Sequence, residues 1–286
     1  MPFNVFTCLL LLAIQVCSFE PTTLPQFSRQ KVENKLITLH ATENDNGATA
    51  TLTLDGGAVV STDPLPFVSD EFLVSFLEDT SNRNLLASAG GERPLEAIKL
   101  TSDLLKTWQD ACKELGAQIP DETDSVIKVR TSGINFPGLQ LESTAFIGIK
   151  GNASNENQVY EFVLIQDENK VKGLPPVVWI FNKLTGSEGK GNGNNQSTSS
   201  LTTLAYKKIS ESEVLFTTTS RLVVNVKFPA FLLKILPTNK EKAEETGAKS
   251  ITKVLEKDVN LAVKAFGKAY REKAKNESAT TLLHNQ

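Results

Sequence analysis

Histidine is nearly missing from this 286-residue chain, which has two, and methionine more so, with one. His40 lies near the amino end and His284 beside the carboxyl end, so the body between them offers no imidazole. That excludes histidine general-base catalysis and histidine metal ligation from the folded part. Cysteine is as scarce, with Cys8, Cys17 and Cys112 making up the set of three. Once the first two leave with an N-terminal presequence, argued below, no intrachain disulfide can form. Cys112 falls on the apolar face of a helical stretch with no base nearby, which reads as a buried structural thiol rather than a nucleophile. An excess of one charge is also lacking, because 30 Lys and Arg stand against 33 Asp and Glu. Without a basic surface to follow phosphates, nucleic acid is not an expected partner.

Catalytic constellations are absent in the same way. Asp121, Glu122 and Asp124 crowd one turn, where solvated loop charges explain them. Gly189-Lys190-Gly191 lacks the Ser or Thr that a phosphate-binding loop needs directly after its lysine, and no buried strand precedes it. The sequence implies no metal, no cofactor and no catalytic residue, and the chain is read as a protein that is not an enzyme.

A membrane-length apolar run is missing too. Val5 to Val16 suits the apolar core of a signal peptide but falls short of the roughly 20 residues of a membrane-spanning helix. Small residues in Val16-Cys17-Ser18 place cleavage between Ser18 and Phe19. Phe19 and Pro21, followed by Arg29, Lys31 and Lys35 among Thr22, Thr23, Ser28 and Thr38, resemble the bipartite presequence of algae with secondary plastids, such as diatoms. That resemblance implies import into a plastid through the endoplasmic reticulum. The alternative is a secreted glycoprotein, for which the Asn-x-Ser sequons at Asn152, Asn195 and Asn276 would be acceptors.

Behind the presequence the pattern is mixed. Thr49 to Leu54 and Ala58 to Val60 read as two short strands around a Gly56-Gly57 turn, and Ser69 to Glu78 as a short helix. Asp79 to Arg93 reads as a polar connection. Ser102 to Leu115 is an amphipathic helix with Trp108 and Cys112 on its apolar face, closed by Gly116. Trp108 is read as a core residue rather than a ligand stacker. Period-two alternation then takes over in Val126 to Arg130, Leu139 to Ile149, Tyr160 to Ile165, Val171 to Gly173, Val177 to Phe181, Leu201 to Ile209 and Val214 to Phe228. The close spacing predicts an antiparallel sheet. Gly186 to Ser200 is a Gly, Asn and Ser tract read as a loop. A long helix follows, with Ile251, Leu255, Val259, Ala262, Phe266 and Tyr270 on one stripe.

Short helices, a run of strands and a long final helix give an α+β order. Leu222-Val223-Val224-Asn225-Val226-Lys227-Phe228-Pro229, Leu236-Pro237, Glu245-Thr246-Gly247, Val254-Leu255 and Ala269-Tyr270 resemble the last strand and closing helix of the DUF1997 family of the START-like, or SRPBCC, superfamily. The resemblance implies a helix-grip fold, in which an antiparallel sheet wraps around the long C-terminal helix and leaves a cavity. It carries no catalytic motif. The organisation so implied is a signal peptide (1–18), a transit-peptide-like segment (19–41), an N-terminal extension (42–93), the START-like domain (94–275, with loop 186–200) and a polar tail (276–286).

The expected cavity lining is Phe136, Phe146, Phe162, Trp179, Phe181, Val224, Phe266 and Tyr270, with the Tyr270 hydroxyl as a polar handle. The ligand so implied is a lipid, pigment or isoprenoid. The alternative is a filled interior and a surface that docks a photosynthetic protein complex as an assembly factor. No transmembrane segment is expected in the mature chain.

Overall fold

The computed structural model describes residues 49–130, 134–136, 139–153, 156, 159–173, 175, 196–229 and 240–284. The expected presequence with its Ser18–Phe19 junction, the expected strand Val177 to Phe181, and Asn195 lie outside them. In chain order the elements are β1 (Thr49–Ser61), β2 (Leu65–Pro66), α1 (Asp70–Glu78), α2 (Thr80–Ala87), β3 (Leu95–Ile98) and α3 (Ser102–Leu115). Then come β4 (Ser125–Arg130), β5 (Ile134–Phe136), β6 (Leu139–Gly151), β7 (Tyr160–Gly173), β8 (Gln196–Ser210), β9 (Glu213–Pro229) and α4 (Lys240–His284).

All pairings among the described strands are antiparallel, in the order β1-β9-β8-β7-β6-β4-β3, with β2 joined to β9 and β5 to β6. The architecture is therefore α+β, an antiparallel sheet with a long C-terminal helix. Because side chains alternate along a strand, the register sorts them into two faces. The inner face packs on α1 and α4 through Ile127, Ile149, Phe162, Leu204 and Phe216. The outer face packs on α3 through Val126, Val163 and Ile165 against Trp108 and Cys112.

Glycine sets how closely the helices approach. A Cβ on Gly56 would stand 2.6 Å from Ile251 Cγ2 and 2.9 Å from the Thr252 nitrogen, and one on Gly247 would stand 2.6 Å from Leu54 Cδ2. On the outer face a Cβ on Gly148 would lie 2.2 Å from the Trp108 ring. Gly56 is thus a seat for α4 in an unbroken β1, not the turn expected from Gly56-Gly57. Mid-helix glycine costs about 1 kcal/mol relative to alanine, and at Gly247 the close approach to β1 is what that cost allows.

β1 is an edge strand, and α4 covers its unpaired donors. The Thr53 N–H donates to Glu244 Oε1 at 2.8 Å and the Gly57 N–H to Thr252 Oγ1 at 3.3 Å. Edges left open in this way invite pairing with other chains.

Other departures from the sequence reading have local causes. The segment read as an extension supplies β1, α1 and α2, because β1 pairs with β9 from Thr49↔Pro229 to Ser61↔Thr217. Asp79 to Arg93 contains α2, started by Asp79, whose carboxylate accepts the Ser81 N–H at 2.9 Å. Residues 196–200, expected in the loop, extend β8, since Thr and Ser pair well along a strand and β9 offers a partner to each. The tail expected from 276 continues α4 to His284.

Overpacking a filled core costs about 1–3 kcal/mol. Gly56→Ala and Gly148→Ala are each expected to lower stability by about that amount. At Gly151 the nearest atom to a new Cβ is Tyr160 Cδ1 at 3.5 Å, an ordinary contact, so Gly151→Ala should stay within about 0.5 kcal/mol of the parent. Urea midpoints compare the set, and equal midpoints for Gly56→Ala and Gly151→Ala would contradict this seating of α4.

Candidate functional site

The inner layer is built from the α1 end. Ser69 caps α1 by accepting the Phe72 N–H at 3.1 Å, and the helix then presents Phe72, Leu73, Phe76 and Leu77 inward. Its C-terminal carbonyls are satisfied by buried side chains, Asn82 Nδ2 to the Phe76 oxygen at 3.0 Å and the Tyr160 hydroxyl to the Leu77 oxygen. α4 brings Phe266 and Tyr270 against this helix, and β9 brings Phe216. Their rings meet edge to face, with centroids 4.9 Å apart for Phe76–Tyr270, 5.2 Å for Phe216–Phe266 and 5.4 Å for Phe72–Tyr270. Tyr270 is fully buried, and its hydroxyl has no protein hydrogen-bond partner.

The middle of the inner face has a different character. Cross-strand register sets Thr198 beside Val224, Ser200 beside Leu222, Thr202 beside Ser220 and Leu204 beside Thr218. The Thr202 and Ser220 hydroxyls bond each other at 2.7 Å. Thr218 is 3% exposed and its hydroxyl has no protein partner. Burying an unpaired hydroxyl costs about 1–3 kcal/mol, so an inner face of this composition opposes stability. Leu164, Leu222, Val224, Thr198 and Ser200 on this face are half-buried rather than buried.

The half-burial coincides with a break in the sheet. β7 and β8 pair only from Tyr160↔Leu204 to Val163↔Leu201. Beyond that, β7 follows β6 and β8 follows β9, with no ladder between Leu164–Gly173 and Gln196–Ser200 among the described residues. A bulge lies at the same place, opposite Phe146/Ile147, where Ile147 pairs with Leu164 and Phe146 with Gln166. A bulge bends its strand and increases the local twist, which fits an end to the β7–β8 pairing just there.

Of the expected cavity residues, the structure brings Phe162, Phe266 and Tyr270 into the inner core. Val224 lies half-buried on the same face, beside Thr198 of β8. Phe146 lies on the other face, packed in the α3 cluster with Lys128 Nζ 5.4 Å from its ring centroid. It cannot line an inner cavity, because alternation sets it opposite Ile147 and Ile149. Phe136 belongs to β5, with its side chain outside the described residues, and Trp179 and Phe181 lie outside them altogether. Sequence reasoning missed Phe72, Phe76, Phe216 and the hydroxyl row. Counting back in twos from Val224 reaches Leu222, Ser220, Thr218 and Phe216, so the signal was there for all of β9.

The outer face is closed by α3. Thr101 accepts the Leu104 N–H at 3.3 Å to start that helix, and Gly116, at φ 67°, ends it. Trp108 and Cys112 are fully buried. Burial, with the nearby Glu161 carboxylate, pushes the Cys112 thiol up to about 11. Glu161, itself 1% exposed, accepts the Gln118 N–H at 2.8 Å and so ties the chain after α3 to the sheet. Its cross-strand neighbour Lys150 reaches Asp124 at 3.0 Å. Among the described residues no group of three or more His, Cys, Asp or Glu is placed to hold a metal ion, and no helix is long and apolar enough to cross a membrane. Asn152 and Asn276 are exposed, the first after β6 and the second within α4.

No family model matches the chain, and no curated protein matches it. Among solved structures, a crystal structure of a conserved protein from Geobacillus kaustophilus matches at 12% identity and a TM-score of 0.32, over 77% of this chain and 96% of that one.

Two measurements test this interior. The chain has three tyrosines, Tyr160, Tyr206 and Tyr270, and burial raises all of them, Tyr270 to about 12. An unfolded phenol loses its proton near pH 10, so between about 10 and 12 the unfolded state binds fewer protons than the native state. Stability present in full below about pH 10 should therefore fall as pH rises towards 12, by up to about 1.4 kcal/mol per pH unit for each buried phenol. Tyrosinate absorbance should appear with unfolding rather than half-formed at pH 10, and half-ionisation of a native protein at pH 10 would contradict the burial. In a chain prepared without residues 1–18, so that Cys112 is its one thiol, Cys112 should resist an aromatic disulfide reagent at pH 8 and react on adding urea, whereas prompt labelling of the native protein would contradict its place under α3.

Proposed function

We propose that this chain has the helix-grip fold implied by its DUF1997 resemblance and binds a hydrophobic small molecule without catalysis. The ligand is a lipid, pigment or isoprenoid, held between the inner face and α4 in the plastid to which the presequence directs the protein. The strand order supports the fold reading, since β1 joins the last strand, the remaining strands run on in sequence, and α4 returns along β1 through Leu54, Gly56 and Ala58.

One observation carries the binding reading. In the middle of the inner face, Leu164, Leu222 and Val224 stay half-buried beside Thr198 and Ser200, where the β7–β8 ladder has ended. Apolar side chains on an inward sheet face are ordinarily buried by the facing layer, and ligand sites combine such surface with a few placed polar groups. The reading of a filled interior and a complex-docking surface draws on the ring contacts at the α1 end. Those contacts fill that end and leave the middle strands as they are.

Native mass spectrometry of the mature protein from its own source, followed by solvent extraction, is the test. The expected result is a start near Ala41 and a retained apolar molecule. Ser200→Trp, which fills the middle of the inner face, should reduce the retained amount at least about five-fold, while Lys207→Trp on the exposed outer side should not. A protein that starts at Phe19, carries glycans and releases no apolar molecule would sink this reading.

A further inference from the structure

Thr198, Ser200 and Thr202 on β8 and Thr218 and Ser220 on β9 form one patch of hydroxyls on adjacent strands of the inner face. An inward sheet face built only for packing would carry apolar residues at these positions, as it does at Leu204, Phe216 and Phe162. The patch does not satisfy itself. Thr202 and Ser220 bond each other, but the Thr218 hydroxyl, on a residue 3% exposed, has no protein partner. Neither has the hydroxyl of fully buried Tyr270, whose ring touches that of Phe216, two residues before Thr218 on the same face.

The charges around this surface are of the wrong kind for an anion. Past the β7 bulge, Asp167 pairs with Ala145 and so shares the inner face, and Glu244 stands at the β1 edge, where it accepts the Thr53 N–H and has Lys240 Nζ at 3.9 Å. Around the patch Arg93 is matched by Asp258, Lys208 by Asp70 at 2.5 Å and Lys273 by Asp79 at 3.9 Å, while half-buried Arg83, on α2 at the Tyr160 end of the layer, leaves its Nε without a hydrogen-bond partner. A carboxylate or phosphate brought to the hydroxyl patch would lose its water and gain no counter-charge from β8 or β9, whose described inward positions carry Lys208 alone, already paired with Asp70, and that is strongly unfavourable. A hydroxyl or carbonyl group would lose less and would pair with the orphaned hydroxyls.

We infer that the ligand is an uncharged amphiphile, an apolar chain or ring system bearing an alcohol or ester oxygen, and that fatty carboxylates and phospholipids are discriminated against. This rests on the binding reading given above. Thr218 is the specificity residue, with Ser200 and Thr198 at half-buried positions farther along the same face, where the described β7–β8 pairing has ended.

The test is a competition at pH 8. The mature protein, stripped by solvent extraction and refolded, is incubated with an equimolar mixture of 1-hexadecanol and palmitate, recovered by gel filtration, and its bound lipid is extracted and quantified. The alcohol is expected in at least about ten-fold excess, a difference of about 1.4 kcal/mol. Thr218→Val, equal in shape and lacking the hydroxyl, should reduce retained alcohol about ten-fold, and Ser200→Ala, at a half-buried position that tolerates change, should reduce it several-fold. Equal retention of the two lipids, an excess of palmitate, or undiminished alcohol in both variants would overturn the inference while leaving the binding reading intact. Retention of neither lipid would overturn the binding reading and this inference with it.

Discussion

The ring interlock of Phe72, Phe76, Phe216, Phe266 and Tyr270 is the contact on which the inner layer depends. It joins α1, β9 and α4, elements separated by up to about two hundred residues of chain. Edge-to-face pairs of this kind add about 0.5–1.5 kcal/mol each beyond the area they bury. Their larger effect is geometric. α1 follows directly on β1 and β2, so fixing α1 against α4 also fixes where β1 can lie. β1 can then complete the sheet only by pairing with β9, the strand that contributes Phe216. Such distant contacts bring a high loop-closure cost, which suits a fold whose cooperative unit is the whole inner layer rather than any hairpin.

The two faces of the sheet reach close packing by the same means and to different ends. On the outer face one bulky residue, Trp108, sits over a strand glycine, Gly148, and Cys112, Val126, Val163 and Ile165 surround it. On the inner face the glycines Gly56 and Gly247 let a helix backbone, not a single ring, approach the edge strand. The helix is thereby drawn to the sheet edge, where Glu244 and Thr252 occupy donors that would otherwise be open. A helix held over β1 does not sit squarely over β7 and β8, and the half-burial of Leu164 and Ser200 follows from that displacement together with the bulge.

Much of this was legible in the sequence, and the misses are instructive. α3 could be read because its apolar residues recur at helical spacing and Gly116 ends it in the left-handed conformation only glycine adopts cheaply. β9 and the stripe of α4 were legible for the same periodic reason. Gly56 misled because a glycine pair in a strand pattern is locally identical whether it makes a turn or admits a helix, and only the distant Ile251 decides. α2 escaped because its sequence, Thr-Ser-Asn-Arg-Asn-Leu-Leu-Ala, is too polar and short to show a face, and it is held by α4 and by the Asp79 cap. Phe146 was placed on the wrong side by its aromatic character alone, although its neighbours Ile147 and Ile149 already fixed its parity. The hydroxyl patch went unread because Thr and Ser in a strand look like a solvated face, although on β9 the parity of Val224 already set Thr218 and Ser220 inward, and only the register adds their β8 neighbours.

How a ligand would reach the interior follows from what holds α4. The helix is fixed along the whole of β1, by Leu54 against Gly247, Gly56 against Ile251, Ala58 with Val259 and Val263, and the aromatic rings beyond. Arg271 and Asp63 add an exposed pair at 3.5 Å, worth little in water. Lifting α4 as a lid would break these contacts together and reopen the edge of β1, a cost on the scale of global unfolding. Among the described residues no ladder joins β7 to β8 beyond Val163 and Leu201, so no backbone hydrogen bond between these two strands opposes their parting there. On the proposed reading the route in therefore runs between these two strands, past Leu164 and Ser200. Thr218 lies deeper along the same face, so an amphiphile would lead with its oxygen and leave its apolar remainder against Leu222, Val224 and Leu164.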